Sequence, residues 1–163
     1  LLSIGNIENM NSPNTLTLSE EALHKYFNLR YFCYEVMSPE SRYLNRYQIE
    51  LFIREISLSI KKELSNYFSH YENEMITLKD MYIRKNRDYA VAKYMVSNEV
   101  RSVDVKISLR YNKKRRTWLV CDLVIDESSV LRSKQDELKA LIHRLGINGA
   151  IKMLRIQNSE VPV

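Results

Sequence analysis

Glycine and proline are scarce in this chain, with three of each in 163 residues. That scarcity excludes collagen-like and low-complexity sequences, and 45% hydrophobic with 28% charged residues describes a chain that folds into an ordinary packed domain. Gly5, Gly146 and Gly149 do not make a glycine-rich phosphate loop. Cysteine is scarce too. Cys33 and Cys121 have neither CxxC spacing nor a nearby histidine set, so a metal site is not expected. They are either buried thiols or, in an oxidising compartment, a disulfide if their Cα atoms come within about 7 Å. Long apolar runs are missing as well. The stretch Leu119 to Ile125 is interrupted by Asp122 and falls far short of the roughly 20 residues of a membrane span. His24, His70 and His143 are dispersed, and no nucleophile with a base or tuned carboxylate pair is visible. No catalytic residue, metal ligand or cofactor is therefore expected.

The length is that of one domain. Residues 1–15, rich in Asn and Ser with Pro13, read as a flexible lead-in, and residues 16–158 as a single domain. The chain starts Leu1-Leu2 in place of Met, which leads to the expectation that a leader has been removed. Thr17-Leu18-Ser19-Glu20-Glu21 offers a helix cap, and Leu23, Tyr26, Phe27, Tyr31 and Tyr34 then follow at helical spacing in a first helix ending near Met37. Ser38-Pro39-Glu40-Ser41 is expected to cap a second, long helix reaching about Tyr71 through Leu44, Leu51, Phe52, Ile56, Ile60, Leu64, Tyr67 and Phe68.

From Met75 the period changes to two, and strands are expected at about 75–84, 88–97, 101–111 and 116–126. The third alternates cleanly: Val103, Val105, Ile107, Leu109 and Tyr111 on one face, Ser102, Asp104, Lys106, Ser108 and Arg110 on the other. The fourth is apolar on both sides apart from Asp122, so it should be better covered. A late helix from about Ser129 to Arg144 precedes Gly146, a left-handed C-cap, and a short helix follows from Asn148. Helices, then a four-stranded antiparallel meander, then a helix make an α+β fold.

The net charge is +5 and its densest run is Lys113-Lys114-Arg115-Arg116, between two strands. A solvated hairpin turn explains it, although such a tetrad also suits nucleic acid or anionic headgroups; no aromatic ladder for stacking bases accompanies it, so no nucleic-acid partner is expected. Asp122 stands alone among apolar neighbours. Its expected role is structural, paired with a Lys or Arg of a neighbouring strand or accepting backbone N–H bonds from a loop; the alternative is a small isomerase-like enzyme using it on an apolar substrate.

Trp118, Val120, Asp122, Ile125 and Asp126, then Ser129, then Gly146, Ile147, Gly149, Ile151 and Leu154 beyond a helix follow one ordered pattern. Together with Ser38-Pro39-Glu40 and a long helix that holds Phe52 and closes on Tyr67 to Tyr71, it resembles the MlaC or toluene-tolerance family of periplasmic phospholipid-binding proteins, over most of residues 20–155. The chain departs from it at Asp126-Glu127, often Glu-Gly, and at Lys134-Gln135, usually Tyr-Arg. The resemblance implies a curved sheet wrapped with helices into a cone with an apolar interior. It also implies a monomeric, non-catalytic periplasmic carrier that shields phospholipid tails and shuttles between a membrane-bound lipid transporter complex of the inner membrane and an outer-membrane lipoprotein complex. Lining candidates, chosen by facing, are Leu51, Phe52, Ile56, Tyr67 and Phe68 of the long helix, Val103, Val105, Ile107 and Leu109 of the third strand, and Leu138, Leu141 and Ile142 of the late helix, with Met81, Met95 and Met153 as adaptable walls. About ten acyl methylenes at roughly 0.8 kcal/mol each give a gross 8 kcal/mol, the scale of a micromolar complex.

Overall fold

A computed structural model describes residues 20–68 and 74–160. The expected lead-in, the Thr17–Ser19 cap, and His70 and Tyr71 at the close of the long helix lie outside these residues.

The first helix is not continuous. It divides into α1 (Glu20–Tyr26) and α2 (Leu29–Met37). At the break, Phe27 forms a parallel bridge to Val120, and Asn28 N–H donates to Val120 O at 2.9 Å. Pairing with a strand forces extended backbone, and Asn28 then restarts the helix by accepting Tyr31 N–H at 3.3 Å. The expected cap at Ser38 also gives way: Glu40–Tyr43 makes one 3-10 turn, and α3 (Arg46–Phe68) begins later. There Asn45 and Gln48 form a capping box, Gln48 N–H donating to Asn45 Oδ1 at 2.8 Å and Asn45 N–H to Gln48 Oε1 at 3.0 Å. Leu44 and Ile49, at the two positions a hydrophobic staple uses, both pack on the core.

Strands β1 (Met75–Ile83), β2 (Tyr89–Ser97), β3 (Ser102–Asn112) and β4 (Thr117–Ile125) match the expected segments to within a residue or so at each end. The sheet has five strands, not four, because Ser128–Ser129 (β5) folds back onto Val124 and Ile125. A strand of two residues has no alternation to read. The order β1-β2-β3-β4-β5 is a plain antiparallel meander, curved and unclosed.

Helix α4 (Val130–Ser159) is two helical stretches that meet at a kink at Gly146, the break expected between a late helix and a short one. Its φ of 72° is positive, as expected, while its ψ of 177° extends the chain, a combination essentially restricted to glycine. At Gly149 a Cβ would meet Leu145 Cβ at 2.8 Å, so Gly146 is required by its backbone angles and Gly149 by the side chain one turn earlier. The core forms where α2, α3 and α4 meet: Phe32, Val36, Phe52, Ile56, Ile60, Leu64, Leu138, Leu141, Ile151 and Leu154, with Leu123 contributed by β4. The helices reach the sheet chiefly through β4 and β5.

The β4–β5 turn places Asp126 at φ 46° and Glu127 at φ 67°. Two positive angles are the requirement of a type I′ hairpin, whose second position favours glycine. Holding an L-residue there costs roughly 1–2 kcal/mol, partly offset by the roughly 0.5–1 kcal/mol of entropy that glycine loses on folding. Glu127→Gly should therefore stabilise the protein by about 0.5–1 kcal/mol in urea unfolding; an unchanged or lowered midpoint would show that the turn carries no strain.

Candidate functional site

The register aligns the inward face of β3 with neighbours on both sides, giving rows that are apolar from edge to edge. Ile83, Ala90, Leu109 and Val120 form one row; Met81, Ala92, Ile107 and Leu123 the next; Leu78, Tyr94, Val105 and Ile125 a third; and Ile76, Val96 and Val103 the last. Cover over this face is uneven. At the β4 end Leu123 is 6% exposed and belongs to the helical core, whereas at the β1 end Ile76, Leu78, Met81 and Ile83 are 46–62% exposed. Between them the short side chains of Ala90 and Ala92 are buried, flanked by larger neighbours on β1 and β3. The opposite face carries Asp80, Lys93 and Lys106 in one row.

The lining candidates divide into two groups. Val103, Val105, Ile107 and Leu109 share the apolar sheet face, with Val103 and Leu109 buried and the other two half-buried. Phe52, Ile56, Leu138 and Leu141 lie together in the helical core, with Leu51 and Ile142 packed at its margin. Tyr67 is half-buried near the end of α3, and the side chain of Phe68 lies outside the description. A gap between Val36, Ile56, Ser59, Lys134, Glu137, Leu138 and Leu154 has a volume of only about 10 Å³, room for about one water. An open groove of about 510 Å³ beside α4 is lined by Glu40, Asp136, Lys139, Ala140, Ile142 and His143, too charged a wall for hydrocarbon. Met81 and Met95 lie on opposite faces of the sheet, and Met153 packs against the helical core.

Asp122 is fully engaged. Its Oδ1 accepts Leu123 N–H at 2.8 Å and Leu131 N–H at 3.0 Å, its Oδ2 accepts the Ser129 hydroxyl at 2.6 Å, and Ser129 Oγ in turn accepts Arg132 N–H at 3.0 Å. Two of the N–H groups left unpaired at the start of α4 are thus satisfied, and a carboxylate sits where the helix dipole favours negative charge. The backbone part of the expected structural role is what forms; no strand Lys or Arg pairs with it among the described residues. Asp122→Ala should lower stability by about 2–4 kcal/mol in urea unfolding and Asp122→Asn by less, since the amide keeps one acceptor. Equal stability of Asp122→Ala and the parent would remove the junction from the argument.

Several ties were not evident from sequence. Glu55 is 2% exposed and faces α4, where Asn158 Nδ2 donates to its Oε2 at 2.9 Å and Arg155 Nε lies 3.5 Å from its Oε1. Its place three residues after Phe52, on the buried stripe of α3, was the available signal. Lys134 Nζ lies 2.7 Å from Glu63 and 3.1 Å from Glu137 and donates to Ser59 Oγ at 3.0 Å; burial pulls its pKa down, but the bonds and charges of the two glutamates outweigh that and leave it raised. Gln135 Nε2 donates to Glu35 O at 2.9 Å and Ser38 O at 3.2 Å.

Cys33 and Cys121 are buried free thiols. Burial pushes each up to about 11, against weaker opposing effects from Ser57 at Cys33 and Arg110 at Cys121. The thiol is the unreactive form, so neither should alkylate with iodoacetamide near pH 8 until urea unfolds the protein; rapid labelling of the native state would contradict their burial. Among the described residues no group of three His, Cys, Asp or Glu side chains is placed to hold a metal, and no helix is long and apolar enough to cross a membrane.

Comparison with curated proteins returns no significant match. Among solved structures the chain is similar to the phospholipid-binding protein from Ralstonia solanacearum, determined in complex with a phospholipid, with a TM-score of 0.75 over 85% of this chain and 79% of that one. Identity between the two is 12%, so the likeness is one of fold. The sequence profile of the family described as MlaC protein matches residues 6–156, which takes in α1 to α3, the whole sheet and all but the end of α4, and the chain therefore belongs to the MlaC protein family.

Proposed function

We propose that this chain is a non-catalytic phospholipid carrier of the periplasm, which holds acyl chains against the apolar face of its sheet and shuttles them between inner-membrane and outer-membrane complexes. The observation that carries the reading is the open β1 side of that face, where Ile76, Leu78, Met81 and Ile83 remain about half exposed. Four large apolar side chains left beside one another at the surface mark a binding surface more often than a structural one. Family membership supports it, as does the bound phospholipid of the Ralstonia solanacearum protein that shares this fold. The isomerase-like alternative has little to stand on, because the oxygens of Asp122 are occupied by Leu123, Ser129 and Leu131.

In this reading the strand candidates Val103, Val105, Ile107 and Leu109 form the floor and β1 the open wall, while Phe52, Ile56, Leu138 and Leu141 support from behind. Native mass spectrometry of the protein purified from a bacterial host, followed by organic extraction, should release a phospholipid mass. A clean apo mass that persists after incubation with lipid vesicles would overturn the proposal. Leu78→Asp with Ile83→Asp, both at exposed positions, should cut lipid content several-fold with the melting temperature nearly unchanged. Phe52→Ala should show the reverse, destabilising by about 3–5 kcal/mol with lipid per folded molecule maintained.

A further inference from the structure

The meander places its turns at two ends, and the charges divide between them. At one end the β1–β2 turn carries Arg84, Lys85 and Arg87, and the β3–β4 turn carries Lys113, Lys114, Arg115 and Arg116. Tyr111 N–H donates to Asp88 O at 3.0 Å, which holds the first turn against the end of β3, so the two turns lie side by side, about 10 Å apart at two strand spacings. All seven cations are exposed, and among the described residues Asp88 is the one carboxylate ion-paired with them, 3.7 Å from Arg84. The opposite end is acidic: Glu74, Glu99, Asp104, Asp126 and Glu127, with Arg101 beside Glu74 at 3.8 Å. Strands of 9–11 residues separate the ends by about 30 Å, several Debye lengths at physiological salt, so neither end screens the other.

We propose that the basic end of the sheet is a docking surface for an anionic phospholipid bilayer. Arg84 apart, the cluster has no carboxylate partner among the described residues, and only Arg115 is otherwise tied, donating to Lys25 O at 3.2 Å; such a polyvalent set of Lys and Arg is attracted to an anionic surface and released from it by salt. Its position favours a bilayer over an acidic protein, because the open apolar face begins at the same end: Ile83 adjoins Arg84, and the edge-to-face pair Tyr111 and Trp118, with centroids 5.6 Å apart, lies beside the β3–β4 turn. Headgroup charge and hydrocarbon occur together at a bilayer boundary and require this pairing of basic and apolar surface. Docked this way, the acidic end points away and the apolar face runs up from the membrane along β1, with Ile83 at the headgroup boundary. The purpose given to docking rests on the carrier reading; the docking itself does not.

The test is flotation with phosphatidylcholine vesicles, with and without a share of phosphatidylglycerol, at low and high salt. Wild type should float with the anionic vesicles alone and be released by salt. The variant Lys85→Gln/Lys113→Gln/Lys114→Gln should lose more than about tenfold in affinity, while the charge-matched Arg132→Gln/Lys139→Gln/Lys152→Gln on α4 stays within about twofold. Equal loss in both variants would reduce the effect to net charge, and equal binding to uncharged vesicles, or none to anionic ones, would overturn it. Melting curves check folding. Lipid extraction from the same preparations separates the two proposals: lipid cargo without flotation defeats docking alone, and flotation without cargo defeats the carrier reading alone.

Discussion

The carboxylate of Asp122 decides where the last helix starts, and from that start α4 packs against α2 and α3. With Ser129 it takes up two N–H groups of the first turn of α4 and so fixes the helix to the edge strand pair β4–β5. From this anchor α4 is tied at successive places: Lys134 reaches Glu63 and Ser59 on α3, Gln135 holds the end of α2, and Asn158 and Arg155 meet the buried Glu55 of α3. A half-buried carboxylate is costly without its donors and strongly held with them. The two residues that depart from the family pattern within α4, Lys134 and Gln135, thus act as ties between helices and leave little space there, consistent with the gap of about 10 Å³.

Because the helices gather over β4, the sheet is covered at one side and bare at the other. Burying a large apolar side chain stabilises by roughly 1.5–3 kcal/mol, so four left half exposed on β1 forgo on the order of several kcal/mol in a fold whose total stability is of the order of 5–15 kcal/mol. The edge itself is protected from pairing with another chain: the register of β1 slips between Leu78 and Asp80, where Lys79 interrupts the ladder. What β1 offers is therefore its face more than its edge.

The strands were legible because a period of two survives in the sequence whether or not a face is covered. Alternation from Val103 to Leu109 and the two-sided apolar character of β4 carried through to burial, while Tyr111, at the end of the row, is exposed. The helix candidates were less legible: Phe52 and Leu138 have the spacing of a lining residue and of a core residue alike, and their burial where α2, α3 and α4 meet is a property of the tertiary arrangement that spacing does not carry. Met81 and Ile83 were harder still, since nothing in an apolar strand says that no helix will cover it. The break at Phe27-Asn28 was hidden because the segment has good helical spacing and is overruled by a contact with Val120, far away in sequence. Pairing of Cys33 with Cys121 was open from sequence; one lies between α2 and α3 beside Ser57, the other beside Ser108 in the sheet.

An open face also bears on release. A methylene enclosed on all sides gains about 0.8 kcal/mol, whereas one lying against a single wall keeps part of its surface in water and gains correspondingly less. On the carrier reading, that weaker hold per methylene is an advantage: bound lipid must leave when a membrane or partner offers a better environment, and an enclosed pocket would first have to open. The tight helical core supplies the rigidity, so the exposed wall can be spared for binding without unfolding the rest. Division of labour between a packed half and an open half follows directly from anchoring α4 at Asp122, because a helix starting at the β4 edge and turning at Gly146 covers that edge and leaves β1 uncovered.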